Sequence, residues 1–135
     1  MKKDFIIRQE QRQPLRQLYM WLKSLQSTVI FMQTGAHPDD ETSRLLARLS
    51  LGDGMHVVYV NAVRGQGGQN ALGPERGVAL GYLRTEELFE AMRVIRADIA
   101  WLAESPDDPI SDFGFSKSGE QTFEHWGREH SLRQM

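Results

Sequence analysis

The sequence predicts an α/β fold, an open parallel sheet flanked by helices, and three observations carry that expectation. Short apolar runs alternate with stretches of helical periodicity along the 135 residues. The run at 57–63, Val-Val-Tyr-Val-Asn-Ala-Val, is apolar on both faces, as in a parallel strand covered on both sides. A polar loop follows each apolar run, and parallel sheets of alternating strands and helices gather such loops at one edge, where ligands bind.

The elements follow in order. Pro14 suits the first position of a helix, where its missing N–H costs nothing. Leu15, Leu18, Leu22 and Leu25 then form one apolar stripe, expected to pack on its own domain; a membrane-surface helix is the alternative reading. Residues 29–32 predict a short buried strand that runs into Gly35-Ala36-His37-Pro38-Asp39-Asp40-Glu41. Leu45, Leu46 and Leu49 recur at helical spacing, and Gly52 and Gly54 stop that helix. After the strand at 57–63 comes a glycine-rich loop, 64–77. A long helix is expected over 82–97, with Leu88, Met92 and Ile95 on one face, then a strand at 99–103. An acidic loop and a helix opening near Glu120 complete the order. The division expected is a lead-in with an amphipathic helix at 1–27 and the main domain at 28–135.

The length suits one domain, since domains run to about 100–200 residues. A net charge of −2 leaves no electrostatic footprint for nucleic acid, so no nucleic-acid partner is expected. There are no cysteines, which excludes a disulfide scaffold, a zinc ribbon and a thiol nucleophile. No apolar stretch approaches a membrane span or a signal-peptide core, so a cytoplasmic domain without a membrane span is expected. Charge is uneven. Lys2, Lys3, Arg8, Arg12, Arg16 and Lys23 face only Asp4 and Glu10 within the first 25 residues, and the simple reading of that patch is solvated surface. Between Asp98 and Asp112 stand five acids, Asp98, Glu104, Asp107, Asp108 and Asp112, and no base.

The strongest local signal is His37-Pro38-Asp39-Asp40-Glu41, a histidine and three carboxylates at a strand-to-helix junction. Packed carboxylates repel unless a cation neutralises them. An imidazole and a carboxylate suit zinc, with His37 and Asp40 able to reach one ion and Asp39 free to take a proton from water. The competing reading is a helix N-terminus decorated with capping acids. The loop Arg64-Gly65-Gln66-Gly67-Gly68-Gln69-Asn70 lacks the Lys-Ser/Thr of a P-loop and the Rossmann glycine spacing. It reads either as a flexible loop beside a polar ligand or as a connection that needs positive φ angles.

Taken in order, these pieces resemble the PIG-L/LmbE-like family of zinc-dependent sugar N-deacetylases. The likeness runs through Ala36-His37-Pro38-Asp39-Asp40-Glu41, the loop 64–70, Leu83-Arg84-Thr85-Glu86-Glu87-Leu88, Asp112-Phe113-Gly114-Phe115-Ser116-Lys117, and Glu120 to Gly127. It covers roughly residues 28 to 135 and is closest to a bacterial branch with a long Gly-Gly-Gln-Asn loop. The resemblance implies a Rossmann-like α/β fold and hydrolysis of the N-acetyl group of an N-acetylglucosamine-type sugar conjugate. It implies Zn2+ held by His37 and Asp40, Asp39 as general base, and Arg84 and Asp112 as sugar-binding residues.

The family's third zinc ligand comes from a downstream histidine-rich segment, expected beyond Met135. His56 is expected at the surface, and His125 and His130, five residues apart, fit one helical face poorly. The chain is therefore expected to be the N-terminal part of a larger deacetylase, truncated after about three strands, with an open sheet edge that favours self-association. The alternative function is a catalytically inactive carbohydrate-binding or scaffold fragment of the same fold. Metal-dependent phosphoester hydrolysis, a third reading, would use the same carboxylates but release no acetate.

Overall fold

A computed structural model describes residues 13–113 and 118–135. The basic residues Lys2, Lys3, Arg8 and Arg12, and the motif residues 114–117, lie outside the described residues. The elements are α1 (Pro14–Ser24), β1 (Ile30–Gly35), α2 (Ser43–Ala47) continued by a π-helical turn (Arg48–Gly52), β2 (His56–Asn61), α3 (Val78–Ile95), β3 (Asp98–Trp101), α4 (Gly119–Trp126) and α5 (Arg128–Gln134). The three strands are parallel in the order β1-β2-β3. Ile30 pairs with His56, Gly35 with Asn61, and Asn61 with Trp101, so the carboxyl ends of all three strands lie level. The sequence-predicted α/β class, a parallel sheet flanked by helices, is what the structure has.

Alternation decides where the core sits. Val57, Tyr59 and Asn61 on one face of β2 are all fully buried. Val57 and Tyr59 pack with Leu46 of α2 and with Leu88 and Met92 of α3, and Phe31, Ile99 and Trp101 close around them. The opposite face is less covered: Ile30 and Met32 are exposed, and Val58 and Val60 are half-buried. Full cover on both faces, as the apolar run implied, is not what is seen. Here β2 is buried on one side and partly open on the other.

The apolar stripe of α1 is a correction. Leu15 and Leu25 are each 80% exposed, Leu18 and Leu22 about half exposed, and Met20 is the buried residue of this helix. The helix turns a different face inward because Lys23 bonds the carbonyl of Gly52 and lies against Gly54. Gly54 adopts φ +74°, and a side chain there would meet the Lys23 backbone at 2.9 Å. Helix α3 begins four residues earlier than its periodicity suggests, at Val78, because Leu80 and Gly81 are buried. Gly81 sits so close to Pro106 that a Cβ would come within 2.8 Å of that ring.

The C-terminal helices are tied down by a second cluster. Val63, Ala103 and Ile110 are buried with Trp126 against them, and Trp126 Nε1 donates to the Ser111 carbonyl at 2.8 Å. Asp108 is the polar anchor: His130 Nε2 lies 3.0 Å from Oδ1, which also accepts the Ile110 N–H, while Oδ2 accepts the Glu104 N–H. Burial raises this carboxyl, but the Ile110 N–H, His130 and the Glu104 N–H outweigh it and hold its pKa below the ordinary value. A depressed folded pKa gives stability that is present above the unfolded value, about 3.9, and is lost as pH falls through the folded one. Asp108→Ala is therefore expected to cost about 2–3 kcal/mol at pH 7, from buried donors left unpaired. Urea unfolding at pH 7 and at pH 3 checks this, since the gap between variant and parent should shrink in acid.

Candidate active site

Three loops meet at the carboxyl edge of the sheet. The loop after β1 turns tightly at once: Asp39 and Asp40 N–H both donate to the His37 carbonyl. Asp40 Oδ2 folds back to accept the N–H of Ala36 at 3.0 Å and of His37 at 2.9 Å. Burial alone would raise the Asp40 carboxyl, but these two N–H groups and the His37 imidazole outweigh it and hold the pKa below the ordinary value. The carboxylate thus stays ionised beside the imidazole, with Oδ2 3.4 Å from His37 Nδ1.

The floor of this loop is Tyr59, fully buried on β2. Its hydroxyl donates to the His37 carbonyl at 2.9 Å, with Asn61 Oδ1 3.4 Å away. Burial, with Asp40, Glu41 and Asp39 nearby, pushes the phenol pKa well up, so the hydroxyl keeps its proton as a donor. Gly35 leaves room for that hydroxyl: a Cβ there would lie 2.1 Å from it.

Arg84 on α3 ties the loops after β1 and β2 together. Its guanidinium lies 3.0 Å from Asp39 Oδ1 and donates to the carbonyls of Gly65, at 3.2 Å, and Pro38, at 3.4 Å. Glycine is required opposite it. Gly65 has φ +76°, and a Cβ on Gly65 or Gly68 would come within 2.6 Å of Arg84 Nη1. Asp39 itself is largely exposed, at the mouth of an open cleft of about 340 Å³ whose lining includes Arg84, Asn70, Leu72, Leu83 and Glu87. Asp112, from the loop after β3, completes the cluster with Oδ1 2.8 Å from His37 Nε2 and Oδ2 accepting the Gly67 N–H at 2.9 Å.

The five expected site residues thus converge. His37, Asp39 and Asp40 share one turn, Arg84 holds Asp39, and Asp112 reaches His37 across 75 positions of sequence. The other histidines are engaged elsewhere. His56 pairs with Asp98 at the amino-terminal edge of the sheet, His125 stacks on Phe113, and His130 bonds Asp108. Sequence reasoning missed Tyr59, although a tyrosine inside a buried strand must find a partner for its hydroxyl. It also missed that Arg64 is buried, its guanidinium bonded to the carbonyls of Ala103 and Glu104.

A family model described as PIG-L, GlcNAc-PI de-N-acetylase, matches residues 32–134. The chain belongs to the PIG-L family. That stretch contains every residue of the cluster just described. No curated protein and no solved structure matches the chain. PIG-L members are in general deacetylase-type hydrolases that typically bind zinc. The donor chemistry here fits zinc in part. Two ligands of one tetrahedral zinc lie roughly 3.3–3.5 Å apart, and His37 Nδ1 and Asp40 Oδ2 are 3.4 Å apart. Among the described residues no group of three His, Cys, Asp or Glu side chains is arranged to hold one ion, so the fit is that of two donors. No helix among the described residues is long and apolar enough to cross a membrane.

Proposed function

We propose that this chain carries metal-binding and general-base residues of a zinc-dependent hydrolase that removes the N-acetyl group from an N-acetylglucosamine-type sugar conjugate. The observation that supports this most is the side-by-side placement of His37 and Asp40 with Asp39 at the mouth of the cleft, in a chain matched to PIG-L over residues 32–134. His37 and Asp40 would hold the zinc, which supplies Lewis acidity toward the amide carbonyl. Asp39 would act as the general base for the attacking water. Its ion pair with Arg84 fixes the carboxylate's direction and leaves its side chain 70% exposed to the cleft. Arg84 lines the same cleft, with N–H groups beyond those bonded to Asp39, Pro38 and Gly65 to offer to sugar hydroxyls.

Zinc content per chain at defined free zinc, beside acetate release from an N-acetylglucosamine conjugate, tests the reading. Bound zinc that is lost in His37→Ala, with acetate release that falls at least about 100-fold in Asp39→Asn, is the expected result. Binding of the sugar with zinc bound and no acetate released would favour the second reading, carbohydrate binding without turnover. That reading draws on the same two-donor set. Neither zinc nor acetate would overturn the first.

A further inference from the structure

Helix α1 lies ahead of the stretch matched to PIG-L, residues 32–134, and most of its large side chains point away from the domain. Met20 is buried and Lys23 bonds the Gly52 carbonyl, so that face is attached. Leu15, Leu18, Tyr19, Trp21 and Leu22 are all exposed, as is Leu25 just after the helix. At 3.6 residues per turn these six side chains span an arc of about 160°. The four leucines occupy its middle, with Tyr19 at one margin and Trp21 at the other.

The width and margins of this face decide between its possible occupants. A seam for a second helix is narrower, two positions in seven, and its flanking positions usually carry charge. With Leu15 and Leu22 at one seam position and Leu18 and Leu25 at the other, the flanks here are Tyr19 and Trp21. Aromatic rings with a polar tip suit the margins of a bilayer contact, where one end is apolar and the other wet. Charge points the same way. By sequence, Lys2, Lys3, Arg8, Arg12, Arg16 and Lys23 stand against Asp4 and Glu10 in the first 25 residues, a net of +4 in a chain of net −2. No acidic residue occurs between Glu10 and Asp39. Lys23 Nζ lies 5.8 Å from the centre of the Tyr19 ring, so a cation stands at that aromatic margin. At 11 residues α1 is too short to span a bilayer, and its apolar arc suits lying on one.

We propose that α1 is a membrane-surface helix that docks the domain on an anionic phospholipid bilayer. The leucines enter the boundary between headgroups and acyl chains, and Tyr19 and Trp21 lie at headgroup level. The cations of the first 25 residues are drawn to the lipid phosphates. Apolar contact and charge are each weak and reversible, and stable docking takes both. Neither the zinc pair nor the cleft takes part.

The test is sedimentation of the whole chain with vesicles of phosphatidylcholine alone and with vesicles containing about one-quarter phosphatidylserine. Binding to the anionic vesicles is expected to be at least about 10-fold tighter, since each base near such a surface is worth roughly five-fold, and to weaken as salt rises. Leu18→Gln with Leu22→Gln should weaken it by roughly 10–100-fold, because two leucines no longer enter the bilayer. Leu15→Gln with Leu25→Gln, at positions 80% exposed, should do the same and stands in if the first pair does not fold. Tryptophan emission should shift to the blue on anionic vesicles, and the shift should disappear in Trp21→Phe. Absence of vesicle binding, equal binding to both vesicle types, or a blue shift retained in Trp21→Phe would overturn the proposal. So would binding that neither pair of substitutions weakens. A chain that ignores vesicles and sediments alone as a dimer, dissociated by the same substitutions, would overturn it and give this face to a second copy.

Discussion

Gly35→Ala is expected to destabilise the protein by about 3 kcal/mol, the sum of overpacking and a lost buried hydrogen bond. The added Cβ would stand 2.1 Å from the Tyr59 hydroxyl, 2.9 Å from its ring carbon Cζ and 3.1 Å from Asp40 Cβ. Tyr59 is fully buried among Leu46, Leu88 and Met92, so its ring has nowhere to go. The loop must rise instead, and the hydroxyl's bond to the His37 carbonyl is the first contact broken. Thermal unfolding should show a drop of roughly 10 °C for a domain of this size. Tyr59→Phe in the Gly35→Ala background removes the closest clash and leaves the ring carbon, so part of the loss should return. Strictly additive effects of the two changes would contradict this account.

Arg64→Ala is expected to cost about 3–5 kcal/mol, since two charge-assisted hydrogen bonds and a cation–π contact disappear together. Arg64 Nε donates to the Ala103 carbonyl at 3.0 Å and Nη2 to the Glu104 carbonyl at 2.8 Å. The guanidinium also lies 4.0 Å from the centre of the Trp101 ring. Burial lowers the Arg64 pKa below its ordinary value, offset only in part by the nearby Asp108 charge, and a guanidinium so placed stays protonated at neutral pH. Its loss would free the start of the loop that carries Asp108 and Asp112. Arg64→Lys should recover less than half, because one ammonium cannot bond two carbonyls and stack on an indole. Denaturant unfolding and the rate of proteolysis within 104–113 read both variants. A lysine variant as stable as the parent would refute the two-carbonyl account.

Much of this was legible in the amino-acid order because it depends on neighbours in the chain. Pro14 opens α1 and the strand runs are where their apolar residues lie. Gly52 and Gly54 end the second helical segment, and Ser118 caps α4 by accepting the Gln121 N–H. His37, Asp39 and Asp40 share a turn because Pro38 and the returning Asp40 carboxylate bend the chain locally. The order of strand and helix also implied that the loops after β1, β2 and β3 would share one edge.

Other features depended on contacts that no local pattern encodes. Helix α1 has a leucine stripe, but Met20 and Lys23 attach it, because the Gly52 carbonyl accepts from Lys23 and Gly54 lets the two backbones come close. Arg64 reads as the polar end of a loop and is instead a buried clamp on the chain that leaves β3. Asp112 has a local context of acidic loop. Its work is set by His37, 75 residues away, and by a backbone N–H on a third segment. Periodicity and turn chemistry act over a few residues and therefore determine element type and the presence of the His37 turn. Hydrogen bonds between loops form only after the parallel sheet has set its register, so the tertiary structure decides which carboxylates meet His37 and at which ring nitrogen.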